Sequence, residues 1–150
     1  METLKQKIKN NLNSVLKEGD TLSRSVLGML LAAIMNKELA KGKEATQEEI
    51  IEIIFSELKK RKESVLAFEK GNRKDLADKE RAEIKVLEKY LPEQMPEDEL
   101  RKIIKEAVGK TGATTVKDMG KVMAEIMPQI KGKADGSLVS KIVKESLTPK

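Results

Sequence analysis

The chain has 150 residues, of which 30 are basic and 25 acidic, a net charge of +5, and neither cysteine nor histidine. That composition excludes disulfides, thiolate nucleophiles and all imidazole chemistry, whether as general base or as metal ligand. Aromatic residues are 2% of the chain (Phe55, Phe68 and Tyr90), so the 39% hydrophobic fraction must pack as Leu, Ile, Val, Met and Ala, which together with abundant Lys and Glu is helical composition.

The apolar spacing of Leu4, Ile8, Leu12 and Val15 predicts a first helix over Glu2 to Lys17. Gly19-Asp20-Thr21 ends it and caps a second helix, Leu22 to Lys41, which buries Val26, Leu27, Leu30, Leu31, Ile34 and Met35 and stops at Gly42. Thr46-Gln47-Glu48-Glu49 has the spacing of a capping box and opens a third helix to Lys70, with Ile50, Ile54, Leu58, Val65 and Phe68 inward. Within it, Lys59-Lys60-Arg61-Lys62 is a basic run. Consecutive helical residues point about 100° apart, so the run reads as a solvated surface rather than one patch. Gly71-Asn72 breaks the third helix, and Asn72 is placed to cap a fourth, which runs through Tyr90 with Leu76, Ile84, Leu87 and Leu91 on its core side.

Pro92 and Pro96 cannot share one helix, so residues 92–96 read as a hinge between an N-terminal helical lobe (1–92) and a smaller C-terminal lobe (96–150). Pro96 is predicted as the first residue of a fifth helix, with Glu97, Asp98 and Glu99 favourable at its N-terminus and Leu100, Ile103, Ile104, Ala107 and Val108 inward. Gly112 closes it. A short helix follows around Val116 to Met127, ended by Pro128, and a last one begins near Asp135 and buries Leu138, Ile142, Val143 and Leu147. No segment alternates with period two, so the fold class is all-α, in two helical lobes of about four and three helices. The N-terminus carries no signal-peptide pattern, because Lys5, Lys7 and Lys9 interrupt any apolar stretch. The apolar run Val26 to Met35 is also shorter than the roughly 20 residues a membrane span needs; a cytoplasmic protein is expected.

Gly109-Lys110-Thr111 resembles the end of a phosphate-binding loop, but the first glycine of that motif would fall at Ile104, inside a helix. No carboxylates stand at metal-ligand or acid–base spacing, so no catalytic residue, metal or cofactor is assigned. Met119, Met123 and Met127 form an i, i+4, i+8 stripe, read as flexible core. The stretch Asp118 to Ser137 is different in kind: three glycines, Pro128 and the three lysines Lys121, Lys131 and Lys133 fall together. Lys131 and Lys133 flank the N-terminus of the last helix, and Gly132 and Gly136 permit close backbone approach. Helix dipole, backbone N–H groups and lysines together suit an anion, for which a nucleic-acid phosphate and a plain tight turn are equally compatible readings.

Three stretches carry a resemblance: Glu57-Leu58-Lys59-Lys60-Arg61-Lys62-Glu63-Ser64; Glu88-Lys89-Tyr90-Leu91-Pro92-Glu93-Gln94-Met95; and Asp118-Met119-Gly120-Lys121-Val122-Met123 with Ile126-Met127-Pro128 through Gly136. Through them the chain resembles the YqeY-like proteins of the GatB/YqeY family along nearly its whole length. The resemblance implies an all-α, two-lobe fold whose smaller lobe is similar to the tail of the tRNA-dependent amidotransferase B subunit. It also implies the family label of carbon–nitrogen ligase with glutamine as amido donor. The activity implied by that label needs sites of other domains, so the expectation is a non-catalytic tRNA-binding module. tRNA would be its partner, together with an amidotransferase or an aminoacyl-tRNA synthetase, and the binding positions would be Lys121, Lys131, Gly132, Lys133 and Gly136. The alternative is a protein–protein adaptor with no nucleic-acid role.

Overall fold

The computed structural model describes residues 2–148, which form seven α-helices and one short 3-10 turn and contain no strand among the described residues. The helices are α1 (Leu4–Glu18), α2 (Thr21–Lys41), α3 (Gln47–Lys70), α4 (Lys74–Glu88), α5 (Glu97–Thr111), α6 (Met119–Ile130) and α7 (Gly136–Leu147); the 3-10 turn, Val116–Asp118, leads into α6. The protein is all-α. It divides into two compact units, with the division between Leu91 and Pro92.

In the first unit, α1 to α4 enclose Ile8, Val26, Leu27, Leu30, Ile34, Ile50, Ile54, Leu58, Val86, Leu87 and Tyr90. Tyr90 keeps its hydroxyl satisfied while its ring is buried, because the Asn11 amide donates to it at 2.8 Å. Local chemistry fixes the helix ends. Thr46 and Glu49 form the reciprocal capping box, and Glu49 also pairs with Lys41; together these hold its carboxyl at about 2, well below its ordinary value, the Lys41 bond being the larger cause. Gly19 and Gly42 end α1 and α2 in the left-handed region.

Several helix ends and exposures differ from those the sequence predicts. Helix α1 starts at Leu4 rather than Glu2, because Thr3 caps it and Gln6 returns the bond. Met35 is half exposed at 51%, so the wide apolar face of α2 is only partly covered, and Met29 and Leu39 of the same helix are exposed as well. Asn72 does not cap α4. It adopts φ 57° and ends α3 instead, with the Arg73 N–H bonding the Phe68 carbonyl at 2.8 Å. A residue spent on that left-handed turn cannot also serve as the extended cap of the next helix, and Arg73 takes that position without a side-chain bond.

The basic run on α3 is not wholly solvated. Lys59, Lys60 and Lys62 are exposed, but Arg61 is buried at 6% exposure, between Glu57 at 2.8 Å and Glu83 of α4 at 3.9 Å. A run of four residues goes once round a helix, so one member had to land on the inward stripe. Position 61 is that member, three residues after Leu58 and four before Val65. Burial and the nearby Glu83 charge push the Glu80 carboxyl above its ordinary value. Removing the cation should leave two carboxylates facing each other in a dry seam. Arg61→Ala is expected to cost about 3 kcal/mol of stability. Lys60→Ala should cost less than about 0.5 kcal/mol. Urea unfolding followed by circular dichroism separates the two, and equal losses would show that Arg61 is no more structural than its neighbour.

In the second unit, α5, α6 and α7 enclose Leu100, Ile104, Ala107, Ala113, Val122, Ile126, Ile130, Val139, Ile142, Val143 and Leu147. Pro96 is the N-cap of α5, not its first helical residue, and the acids Glu97, Asp98 and Glu99 occupy the first turn. Helix α6 runs through Pro128 to Ile130. An interior proline costs about 3 kcal/mol. Ile130 is only 2% exposed, and burying such a side chain returns a comparable amount, about 1.5–3 kcal/mol. In α7 the Asp135 cap sets the register so that Val139 rather than Leu138 faces the core; Leu138 is 38% exposed.

Candidate nucleic-acid interface

The stretch from Asp118 to Ser137 comprises α6, a five-residue connection and the start of α7. Its first acid is structural: the Asp118 carboxylate accepts from the N–H groups of Thr114 at 3.0 Å and Thr115 at 3.3 Å, which lowers its pKa, with the nearby Lys121 a smaller cause. Met119 and Met123 pack against the core of the unit, while Met127 is 38% exposed.

The connection is closed by backbone bonds. The N–H groups of Lys133 and Ala134 both bond the Ile130 carbonyl, at 2.8 and 3.2 Å, and Gly132, inside the turn they close, sits at φ 77°. Only glycine adopts that region without a Cβ penalty. The outward carbonyls are taken up by the segment that precedes α5: the Met95 N–H donates to the Lys133 carbonyl at 2.8 Å, and the Gln94 side-chain amide bridges the Gly132 and Pro92 carbonyls at 3.0 and 2.7 Å. The turn is therefore clamped on both sides. Lys131 and Lys133 are exposed upon it, and neither has a carboxylate within 4.0 Å among the described residues.

The other sequence-derived positions fall differently. Lys121 is exposed near the far end of α6 and stands 3.9 Å from Asp118. Ten residues separate it from Lys131, about 15 Å along a helix, so it belongs to the same element but not to the same turn. Gly136 is exposed as the first residue of α7, with ordinary φ and open space where a Cβ would stand, so close packing does not require glycine there. The α7 N-terminus is not bare: the Asp135 carboxylate accepts from the Ser137 N–H at 3.1 Å. An approaching anion would thus meet the lysine side chains before it met open backbone donors.

Two exposed lysines on α7, Lys141 and Lys144, were not singled out from the sequence. Their spacing is the signal that identifies them, since they lie three apart on the side away from Val139, Ile142 and Val143. Among the described residues, no three or more acidic side chains are grouped to hold a metal ion, and no helix is long and apolar enough to cross a membrane.

The family model described as Yqey-like protein matches residues 5–147. The chain belongs to this family. Curated relatives of this Yqey-like chain are fungal proteins named "Altered inheritance of mitochondria protein 41, mitochondrial". The one from Saccharomyces cerevisiae (strain ATCC 204508 / S288c) is 31% identical over 90 residues, covering 59% of this chain and 48% of the yeast protein. Those from Lachancea thermotolerans and Kluyveromyces lactis are each 32% identical, over 85 and 84 residues, covering 56% and 55% of this chain and 46% and 45% of their own lengths. The alignments therefore span about half of the curated relatives.

The two glycines provide a check on the clamped turn. Gly132→Ala is expected to destabilise the protein by about 1–2 kcal/mol, the cost of a Cβ in the left-handed region. Gly136→Ala should stay within about 0.5 kcal/mol of the parent. Thermal unfolding of both variants reads the difference, and an unaffected Gly132→Ala protein would mean that the turn relaxes freely.

Proposed function

We propose that this Yqey-like protein is a non-catalytic tRNA-binding module that works beside an amidotransferase or an aminoacyl-tRNA synthetase. The observation that carries the reading is the clamped turn with Lys131 and Lys133 exposed and, among the described residues, without a carboxylate partner, with Lys121 further along α6. A cation without a carboxylate partner, held on rigid backbone, gains more from a phosphate than one already neutralised. The likeness of the second lobe to an amidotransferase tail, which the sequence resemblance implies, would point the same way. The chain brings no Cys or His to an amide transfer, which accords with a binding role. Both the cytoplasm and the mitochondrial compartment named for the fungal relatives contain tRNA, so the reading applies to either.

The test is tRNA binding across a salt series. Each phosphate neutralised steepens the log–log slope by about 0.7–0.9, so Lys131→Glu/Lys133→Glu is expected to flatten it by about 1.5 and to weaken binding on the order of tenfold. A flat slope in the parent protein, or an unchanged double variant, overturns the reading.

A protein–protein adaptor is favoured by a separate observation: Met29, Met35 and Leu39 of α2 lie 54%, 51% and 80% exposed in a chain otherwise rich in surface charge. In that case a partner stays bound after ribonuclease treatment and is lost from Leu39→Glu. Loss of the partner with the RNA, or retention by Leu39→Glu, counts against the adaptor.

A further inference from the structure

From Pro92 onward the chain contains no Phe, Tyr or Trp, and after Arg101 it contains no Arg. Proteins that grip single-stranded nucleic acid stack bases on aromatic side chains, worth about 1–3 kcal/mol per base. Readers of base edges rely above all on the planar donor fork of arginine. The second unit has neither device on α6 or α7. What it has is lysine, a point charge suited to phosphate and indifferent to sequence.

The placement of that charge is uneven. Residues 117–144 hold six lysines and three acids. Each of the acids is already engaged: Asp118 with the Thr114 and Thr115 N–H groups, Glu125 with Lys110 at 2.7 Å, and Asp135 with the Ser137 N–H. Lys131, Lys133, Lys141 and Lys144 are all exposed, and none has a carboxylate within 4.0 Å among the described residues. The remaining acid of α7, Glu145, is directed instead to Arg101 at 3.7 Å. By contrast the approach to α5 is acidic, with Glu93, Glu97, Asp98 and Glu99. The unit is thus polarised along its sequence. Among the described residues, Lys141 and Lys144 lie on the solvent side of α7, and Lys131 and Lys133 on the turn just before it; the rise of a helix from Gly136 to Lys144 is on the order of 12 Å, a length that spans several phosphates of one strand.

We infer that this α7 face binds the phosphate backbone of double-helical RNA, the arms of a folded RNA rather than its loops, through Lys131, Lys133, Lys141 and Lys144 and without reading bases. The inference rests on the tRNA-binding reading and narrows it. A duplex presents one charge per roughly 1.7 Å of axis, twice that of a single strand, so a site that offers only charge favours the duplex. A double-stranded ligand also hides its base faces, and a surface without aromatics loses nothing by that.

The experiment titrates the full-length protein with two RNA duplexes of about 16 base pairs and unrelated sequence, with their separated strands, and with tRNA. The duplexes are expected to bind within about twofold of each other, and the single strands at least about tenfold more weakly. Lys141→Glu/Lys144→Glu, checked by circular dichroism for a retained fold, is expected to weaken duplex binding about tenfold and to flatten its salt slope by about 1.8. Single strands that bind as well as duplexes, a strong preference between the two duplexes, or an unaffected Lys141→Glu/Lys144→Glu variant overturns the inference. If tRNA binding persists in any of those cases, the broader reading stands without it. Absence of binding to every RNA overturns both.

Discussion

An aliphatic interior governs much of what this protein can do. Leu, Ile and Val carry no hydrogen-bonding group and little volume each, so a core made of them needs many side chains at helical spacing and secure helix ends to keep them in register. The chain meets that requirement with caps: Thr3, Asp20, Thr46 and Asp135 each accept a backbone N–H at a helix start. Tyr90, the most buried of its three aromatics, belongs to the first unit, where its hydroxyl and ring both find partners. The second unit is left with no aromatic surface, which limits the kinds of ligand its exposed face can suit.

Charge is the other material, and the protein uses it in two ways. In the first unit many ions face each other: Lys5 with Glu38, Lys41 with Glu49, Arg61 with Glu57 and Glu83, Arg81 with Glu69 and Asp78. Such pairs hold helices in register, while other cations of the same unit, Lys59 and Lys62 among them, stay exposed with no carboxylate within 4.0 Å among the described residues. In the second unit the acids of α6 and α7 are taken up by backbone N–H groups, by Lys110 and by Arg101, which leaves several lysines uncompensated.

The helical class and most helix boundaries were legible because they depend on neighbours in sequence. The Thr46 capping box, the Gly42 stop and the core stripes of α3 and α5 all follow from residues within four positions of each other. The failures share a cause. Asn72 could serve either helix, and only the Arg73–Phe68 bond decides which. Leu138 and Val139 are adjacent apolar residues, and one residue of register separates core from solvent. Arg61 looked like part of a surface run until α4 placed Glu83 against it. At the candidate interface, the lysines of the glycine-rich turn were visible from composition. The clamp by Gln94 and Met95 was not, because those residues lie 38 positions away from their partners.

Asp135 bears on how long any anion could remain at the head of α7. Its carboxylate already occupies the Ser137 N–H, so a phosphate arriving there competes with a tethered acceptor for that donor. The competitor is covalently attached, returns at once when the phosphate leaves, and repels it on arrival. A resident acid of this sort favours short dwell times over tight capture, since side-chain contacts to flexible lysines form and break independently. The same residue that fixes the start of the helix thus works against any anion at this end.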